Sequence, residues 1–250
     1  TLIDSTSGNT GIAYALVCAV KGYRCELVMP ENVSEERKRM ISAYGAKITL
    51  TDPFEGSDGA IRYVRDLVAG HSDRYFYANQ YNNPSNWRAH YDTTGHELWR
   101  QTRGRVTHFV AGLGTSGTMM GTGRRLRQYR PDVQLIGVQP DDPFNGLEGL
   151  KHMETAIAPG IYDESLLDRK LGVSTEAGYE TAREVARREG LFIGPSGGAA
   201  LRGALDLAAG LDEGVIVVLL PDGGSRYLST SVWALPQLDV APQEQEMLIQ

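Results

Sequence analysis

Cysteine is nearly absent from this 250-residue chain: only Cys18 and Cys25 occur, each inside an apolar run, ALVCAV and CELVM. Thiols so placed are expected as reduced core residues, which excludes a disulfide scaffold and a cysteine metal site and favours a cytoplasmic protein. Basic charge is scarce as well. Against 31 Asp and Glu stand 25 Lys and Arg, a net charge of −6, so nothing marks nucleic acid as a partner. No apolar stretch approaches the roughly 18 residues of a membrane span, and TLIDSTSGNT has neither the basic nor the apolar region of a secretion signal. His71, His90, His96, His108 and His152 are scattered without metal-ligand spacing. Lysine is limited to Lys21, Lys38, Lys47, Lys151 and Lys170.

What is there is a regular alternation of amphipathic stretches and short apolar runs. A helix with Ile12, Leu16, Ala19 and Val20 on one face ends at Gly22, and Cys25 to Pro30 follows as a buried strand. Next come a helix started by Asn32 with Glu35 and running through Tyr44, a strand over Ala46 to Leu50, a helix striped by Ile61, Val64, Leu67 and Val68, and a strand over Tyr75 to Ala78. NNPS at Asn82 to Ser85 interrupts the series. The second series predicts a helix over Trp87 to Gln101, a strand over Val106 to Ala111, a helix over Thr118 to Tyr129 and a strand over Val133 to Val138. A long polar loop, Gln139 to Leu166, precedes a helix capped by Thr175, a short LFIG strand, a helix over Gly198 to Ala209, and Val215 to Pro221, which reads as a central strand. Such alternation implies an α/β fold with parallel sheets and helices on both faces. The expected division is a smaller lobe over 1–83, a larger lobe over 84–235 and a tail over 236–250. Thr1 to Asp4 reads as the end of a strand feeding a glycine loop, with no initiator Met, so the chain is expected to begin inside a fold.

Three loops have the strand-to-helix form that binds anions at helix N-termini: STSGNTG (Ser5 to Gly11), GLGTSGTMMG (Gly112 to Gly121) and GPSGGAA (Gly194 to Ala200). The second contains GxGxxG, but the strand after it ends at Gln139 where a dinucleotide site wants an acidic residue. Thr115, Ser116 and Thr118 suit a compact monophosphate instead. Thr6, Ser7, Asn9 and Thr10 can converge on a small carboxylate, and Ser196 offers one hydroxyl at a helix start, a cap as readily as a ligand contact. A monophosphate cradle, a carboxylate cradle and a lone hydroxyl at three strand ends describe a site for a phosphorylated cofactor and an amino acid.

STSGNTG, GTSGT, NNPSNWRAHYDTTGHELW, EGLKHMETAIAPGIYD, GPSGGAA and PDGGSRYLST follow one another in a way that resembles the cysteine synthase and cystathionine β-synthase family of pyridoxal-phosphate enzymes. Its fold is type II, like the tryptophan synthase β chain, with two open parallel-sheet lobes. The long EGLKHM loop is most similar to the cysteine synthase B side of that family. The resemblance implies pyridoxal 5′-phosphate as cofactor, its phosphate held by Gly114, Thr115, Ser116, Gly117 and Thr118, with Asn9 on the ring oxygen and Ser196 facing the pyridine nitrogen. Thr6, Ser7, Thr10 and Gln80 would hold the substrate carboxylate. Asp222, Arg226 and Tyr227 would border the cofactor face, or form a turn with an ion pair. The implied reaction is β-replacement, in which an activated serine loses its leaving group and a sulfur donor adds to give cysteine. In relatives that use O-phosphoserine a basic residue of the EGLKHM loop helps hold the phosphate, a place matched here by Lys151. A homodimer follows by the same analogy.

The family's Schiff-base lysine lies upstream of the TSGNTG loop, and none of the five lysines matches its motif. The expectation is an enzyme whose first segment is absent from these 250 residues, leaving them without catalytic competence. Two other classes stay open: a lysine-less relative that binds a ligand or partner without chemistry, and a dinucleotide binder.

Overall fold

The computed structural model describes residues 1–6 and 8–234; the tail expected over 236–250 and Ser7 lie outside the described residues. Two four-stranded parallel sheets organise the chain. The first has the order β3-β2-β1-β4, from β1 (Leu2–Ser5), β2 (Cys25–Pro30), β3 (Lys47–Thr51) and β4 (Phe76–Tyr77). The second has the order β7-β6-β5-β8, from β5 (His108–Gly112), β6 (Gln134–Pro140), β7 (Arg169–Val173) and β8 (Ile216–Val218).

Period-two alternation sends neighbouring residues to opposite faces. From β2, Leu27 and Met29 pack with Ile12, Ala15 and Cys18 of α1 (Asn9–Lys21) and Ile41 of α2 (Glu35–Ala43). Val28 points the other way, with Ile3, onto Ala60 and Val64 of α3 (Gly56–Gly70). The second sheet repeats the plan: Phe109, Ala111 and Leu135 meet Met119, Met120 and Leu126 of α6 (Gly117–Tyr129), while Val110, Ile136 and Val138 meet Ala199, Ala204 and Leu207 of α8 (Pro195–Ala208). Both cysteines are buried free thiols in the α1 core, as expected.

Several details differ from the sequence reading, beginning with α2, which starts behind Ser34 rather than Asn32. The helix expected over Trp87 to Gln101 is two, α4 (Pro84–Asp92) and α5 (Thr94–Gln101), broken at Thr93, whose hydroxyl donates to the Ala89 carbonyl at 2.7 Å. Adjacent β-branched threonines give the backbone this alternative to the helical ladder. The strand β7 was not expected: its Arg169 and Lys170 disguise it as loop, as charge on an edge strand does. Val215 to Pro221 contributes only the three residues of β8 and sits at an edge rather than the centre. Helices cover both faces of an edge strand too, so an all-apolar run does not report strand order. LFIG supplies only an isolated antiparallel bridge, Ile193 to Gly223. The cap of α7 (Thr175–Glu189) is Ser174, whose hydroxyl accepts the Ala177 amide, while Thr175 accepts the Gly146 amide at 2.9 Å.

Among the described residues no helix is long and apolar enough to cross a membrane, and no group of His, Cys, Asp and Glu could hold a metal ion.

Candidate active site

The carboxyl ends of β1 and β5 open onto one cavity of about 170 Å³. Its walls carry Thr6, Asn9, Thr10 and Gln80 from the first sheet, and Gly114 to Thr118, Lys151 and Ser196 from the second. Every described residue singled out from the sequence as a cofactor or substrate contact therefore faces the same space.

The β1 loop is held by its own first hydroxyl: Thr6 Oγ1 accepts the amides of Gly8 and Gly11, both at 3.2 Å. This buried threonine closes a helix start whose cap residue is glycine and has no side chain to offer. Asn9 is also tied to the segment after β8: one Nδ2 hydrogen donates to Asp222 Oδ2 at 2.8 Å and Oδ1 accepts from Arg226. Gln80 donates from Nε2 to the Ser5 carbonyl at 2.6 Å.

The β5 loop turns into α6 through Ser116, which has φ +67°. Ser116 Oγ is buried without a hydrogen-bond partner, at the start of α6, whose first amides have no partner within the helix and whose Gly117 amide reaches Thr115 Oγ1 only at 3.4 Å. A monophosphate ester meets those needs at once, since its oxygens accept from a hydroxyl and from helix N-terminal amides. Thr118 is backed by His90, whose ring nitrogens reach Thr118 Oγ1 at 3.3 Å and Thr94 Oγ1 at 3.0 Å. Burial of His90 lowers its pKa, which favours the neutral ring. Ser196, buried, occupies the first turn of α8 behind Pro195.

Lys151 is not a solvated loop lysine. It is 6% exposed, its Nζ lies 2.6 Å from Asp58 Oδ1, and it stands 5.1 Å from the Tyr81 ring centroid. Burial lowers its pKa while Asp58 opposes that shift. Asp58 also accepts the Ile157 amide at 2.7 Å, so one carboxylate pins both the lysine and the long loop.

The largest omission from the sequence reading is Arg37. Its side chain is 1% exposed, with Nη1 2.7 Å from Glu148 Oε2 and Nη2 3.4 Å from Asp222 Oδ2. It also donates to the Tyr227 hydroxyl and lies 4.4 Å above that ring's centroid. Tyr227 in turn donates to Asp222 at 2.6 Å. Asp222, Arg226 and Tyr227 thus belong to a network of hydrogen bonds, with an ion pair from Asp222 to Arg37, that reaches α1 and α2 and is more than a local turn. Burial raises the Glu148 and Tyr227 pKa values against the opposing pull of Arg37. One signal was available: Arg37 and Ile41 are both buried on α2, and a charged residue one turn from an apolar one on a core-facing stripe demands a buried partner. Which partner was not readable, because Glu148 and Asp222 lie 111 and 185 residues away.

Over residues 1–222 the chain matches the family described as pyridoxal-phosphate dependent enzyme. It is 57% identical over 237 residues to the cysteine synthase of Aquifex aeolicus, an alignment covering 93% of this chain and 72% of that protein. To cysteine synthase B of Salmonella typhimurium it is 44% identical over 234 residues, covering 93% and 76%. Among solved structures, a cysteine synthase from Entamoeba histolytica matches with a TM-score of 0.86 at 34% identity, over 94% of this chain and 72% of that one.

Proposed function

The chain belongs to the pyridoxal-phosphate-dependent enzyme family and has its fold type II architecture and cofactor, and from that premise we propose that the full-length protein these residues belong to carries out the cysteine synthase reaction, β-replacement on an activated serine by a sulfur nucleophile. The carrying observation is the meeting, in one cavity, of the phosphate-type loop at Ser116 with the carboxylate-type loop at Thr6 and Thr10. Pyridoxal phosphate, when bound, supplies the electron sink that labilises the α-proton and the β-leaving group.

This chain's residues supply binding and orientation. Ser116, Thr115, Thr118 and the first amides of α6 hold the phosphate end. Ser196 presents a neutral hydroxyl to the pyridine nitrogen, which keeps that nitrogen unprotonated and favours prompt loss of the β-substituent. Thr6, Thr10 and Gln80 take the substrate carboxylate, with Ser7 assigned to the same task. Asn9, with one Nδ2 hydrogen on Asp222, keeps a second for the ring oxygen. In a full-length holoenzyme that carries the family's lysine, Ser196→Asp is expected to retain cofactor and lower kcat at least tenfold, whereas Thr10→Ala raises KM for the amino acid with kcat within about threefold. Equal changes in both parameters for both variants would break this division of roles.

The activated serine is O-acetylserine in this reading, because Lys151 already has a counter-ion in Asp58 at 2.6 Å and a phosphate ester would have to displace it. Comparison of kcat/KM for O-acetylserine and O-phosphoserine in wild type and Lys151→Ala tests the choice. We expect wild type to prefer the acetyl ester and the ratio to change by less than about threefold in the variant; a preference for the phospho ester that Lys151→Ala abolishes would reverse it.

Three finer points belong to the same proposal. A boundary near residue 83 separates a smaller lobe from a larger one, supported by the two sheets. The protein works as a cytoplasmic homodimer, supported by its buried free thiols and by Leu16, Val17 and Val20 exposed on α1. The 250 residues alone form no covalent link to the cofactor. Only Lys151 among the five lysines lines the cavity, and an ammonium held by a carboxylate is a poor nucleophile. Borohydride treatment of this chain with pyridoxal phosphate is expected to label no lysine specifically; stoichiometric labelling of Lys151 would refute the point.

A further inference from the structure

Asp4 is fully buried at the end of β1, two residues before Thr6, and nothing in the reaction above uses it. Its carboxylate meets donors from three different segments. Oδ1 accepts the Ser5 amide at 2.8 Å and Oδ2 accepts the Gln80 amide at 3.0 Å, and the Tyr14 hydroxyl of α1 donates to it as well. Tyr77 of β4 and Tyr81 beyond it also face the carboxylate. Arg65 of α3 lies against Tyr77, and Cys25 of β2 against Tyr14.

Those segments carry the groups that line the carboxylate end of the cavity. The amide of Gln80 is fixed by Asp4, its carbonyl accepts from Asn86 Nδ2 at 2.8 Å, and its side chain is tied to Ser5. Just upstream, Asn79 takes a left-handed backbone with φ +53°, so the turn bearing Gln80 needs external anchoring to stay in register. Tyr14 stands one turn beyond Thr10 on α1. A carboxylate accepts all three donors at once; a protonated acid must turn an O–H toward one of them.

We propose that Asp4 is a positioning residue for the amino-acid substrate, its ionised carboxylate locking the Thr6 loop, α1 and Gln80 into the spacing that receives an α-carboxylate. The inference rests on the cysteine synthase reading of the cavity. Burial pushes the Asp4 pKa up to about 6 from 3.8, which gives affinity and stability opposite pH dependences. Between about pH 4 and 6 the folded state binds more protons than the unfolded, so this group's contribution to stability falls as pH rises. Substrate affinity rises across the upper part of the same window, as the carboxylate forms.

Calorimetric binding of L-alanine, which has no leaving group, to the full-length holoenzyme, wild type there carrying the family's lysine, provides the test. Wild type is expected to lose affinity as pH falls through about 6. Asp4→Asn should bind about tenfold more weakly at neutral pH, lack that acid limb, and keep full cofactor content and a Tm within about 3 °C of wild type. Unchanged affinity, or loss of cofactor and Tm together with affinity, overturns the proposal. Should Asp4→Asn fail to fold, Tyr14→Phe decides: removing a donor to the carboxylate should move the acid limb to higher pH, and an unmoved limb counts against the role. A wild type that binds L-alanine but turns over no activated serine sinks the cysteine synthase reading while leaving the Asp4 result readable.

Discussion

Gly114→Ala is expected to strip the protein of its cofactor, with at least a hundredfold loss of pyridoxal-phosphate affinity read from the cofactor's visible absorbance during titration. A methyl group at 114 would lie far inside contact distance of the Gly149 carbonyl oxygen. Both partners are backbone, so neither can rotate away, and the β5 loop must part from the 148–151 segment. That segment is itself tied back, by the Lys151 amide to the Leu113 carbonyl at 2.8 Å. Displacing the loop by even an ångström misaligns Ser116 and the α6 amides together, and donors fixed in a rigid cradle lose their value steeply with misplacement. Gly112→Ala is the control. There the added methyl meets Leu150 Cδ2 at 2.5 Å, the far end of a side chain that can change rotamer, and cofactor affinity should fall by less than about fivefold. Equal losses from the two substitutions would show that steric closure at 114 is not what shapes the cradle.

The second large effect is on stability. Arg37→Leu should destabilise the fold by about 3–5 kcal/mol, the range for removing one partner of a buried charge network, measured by urea unfolding at neutral pH. Glu148, already pushed up by burial, would lose the guanidinium 2.7 Å away and Asp222 would lose the one at 3.4 Å. The deficit has a pH signature. Without Arg37 the folded-state pKa of Glu148 rises further above its unfolded value of 4.5, so between the two the folded variant binds the extra proton. Its stability therefore recovers as pH falls, and the gap to wild type narrows toward pH 5. A gap that stays constant with pH would mean the loss is packing alone.

How much of this was legible beforehand varies with how local the signal is. The three glycine loops could be found because strand, turn and helix start are contiguous, and residues such as Ser116 and Thr6 announce their role by position at a helix N-terminus. Their convergence followed from parallel topology, which places all strand ends on one side. Lys151 and Asp58 could not be paired from sequence, because 93 residues separate them and no periodicity links an α3 residue to a loop after β6. Asn9 lines the cavity, in keeping with its local context, but its bonds to the distant Asp222 and Arg226 carry no local signal. Asp4 is not legible from sequence, because one acidic residue in a four-residue strand carries no pattern.

The clasp between α2 and the segment after β8 extends beyond Arg37: Ser34 Oγ donates to the Arg226 carbonyl at 2.8 Å, and Ser229 donates from both its amide and its hydroxyl to Glu36. During biosynthesis these partners do not exist together. Arg37 leaves the ribosome 185 residues before Asp222, a delay on the order of ten to forty seconds at about 5–20 residues per second. Glu148 arrives first, 111 residues after Arg37, so the clasp on α2 closes in two stages, and a stall or early stop between them leaves the α2 face without the segment after β8, a mark by which quality-control proteases could distinguish unfinished chains from finished ones.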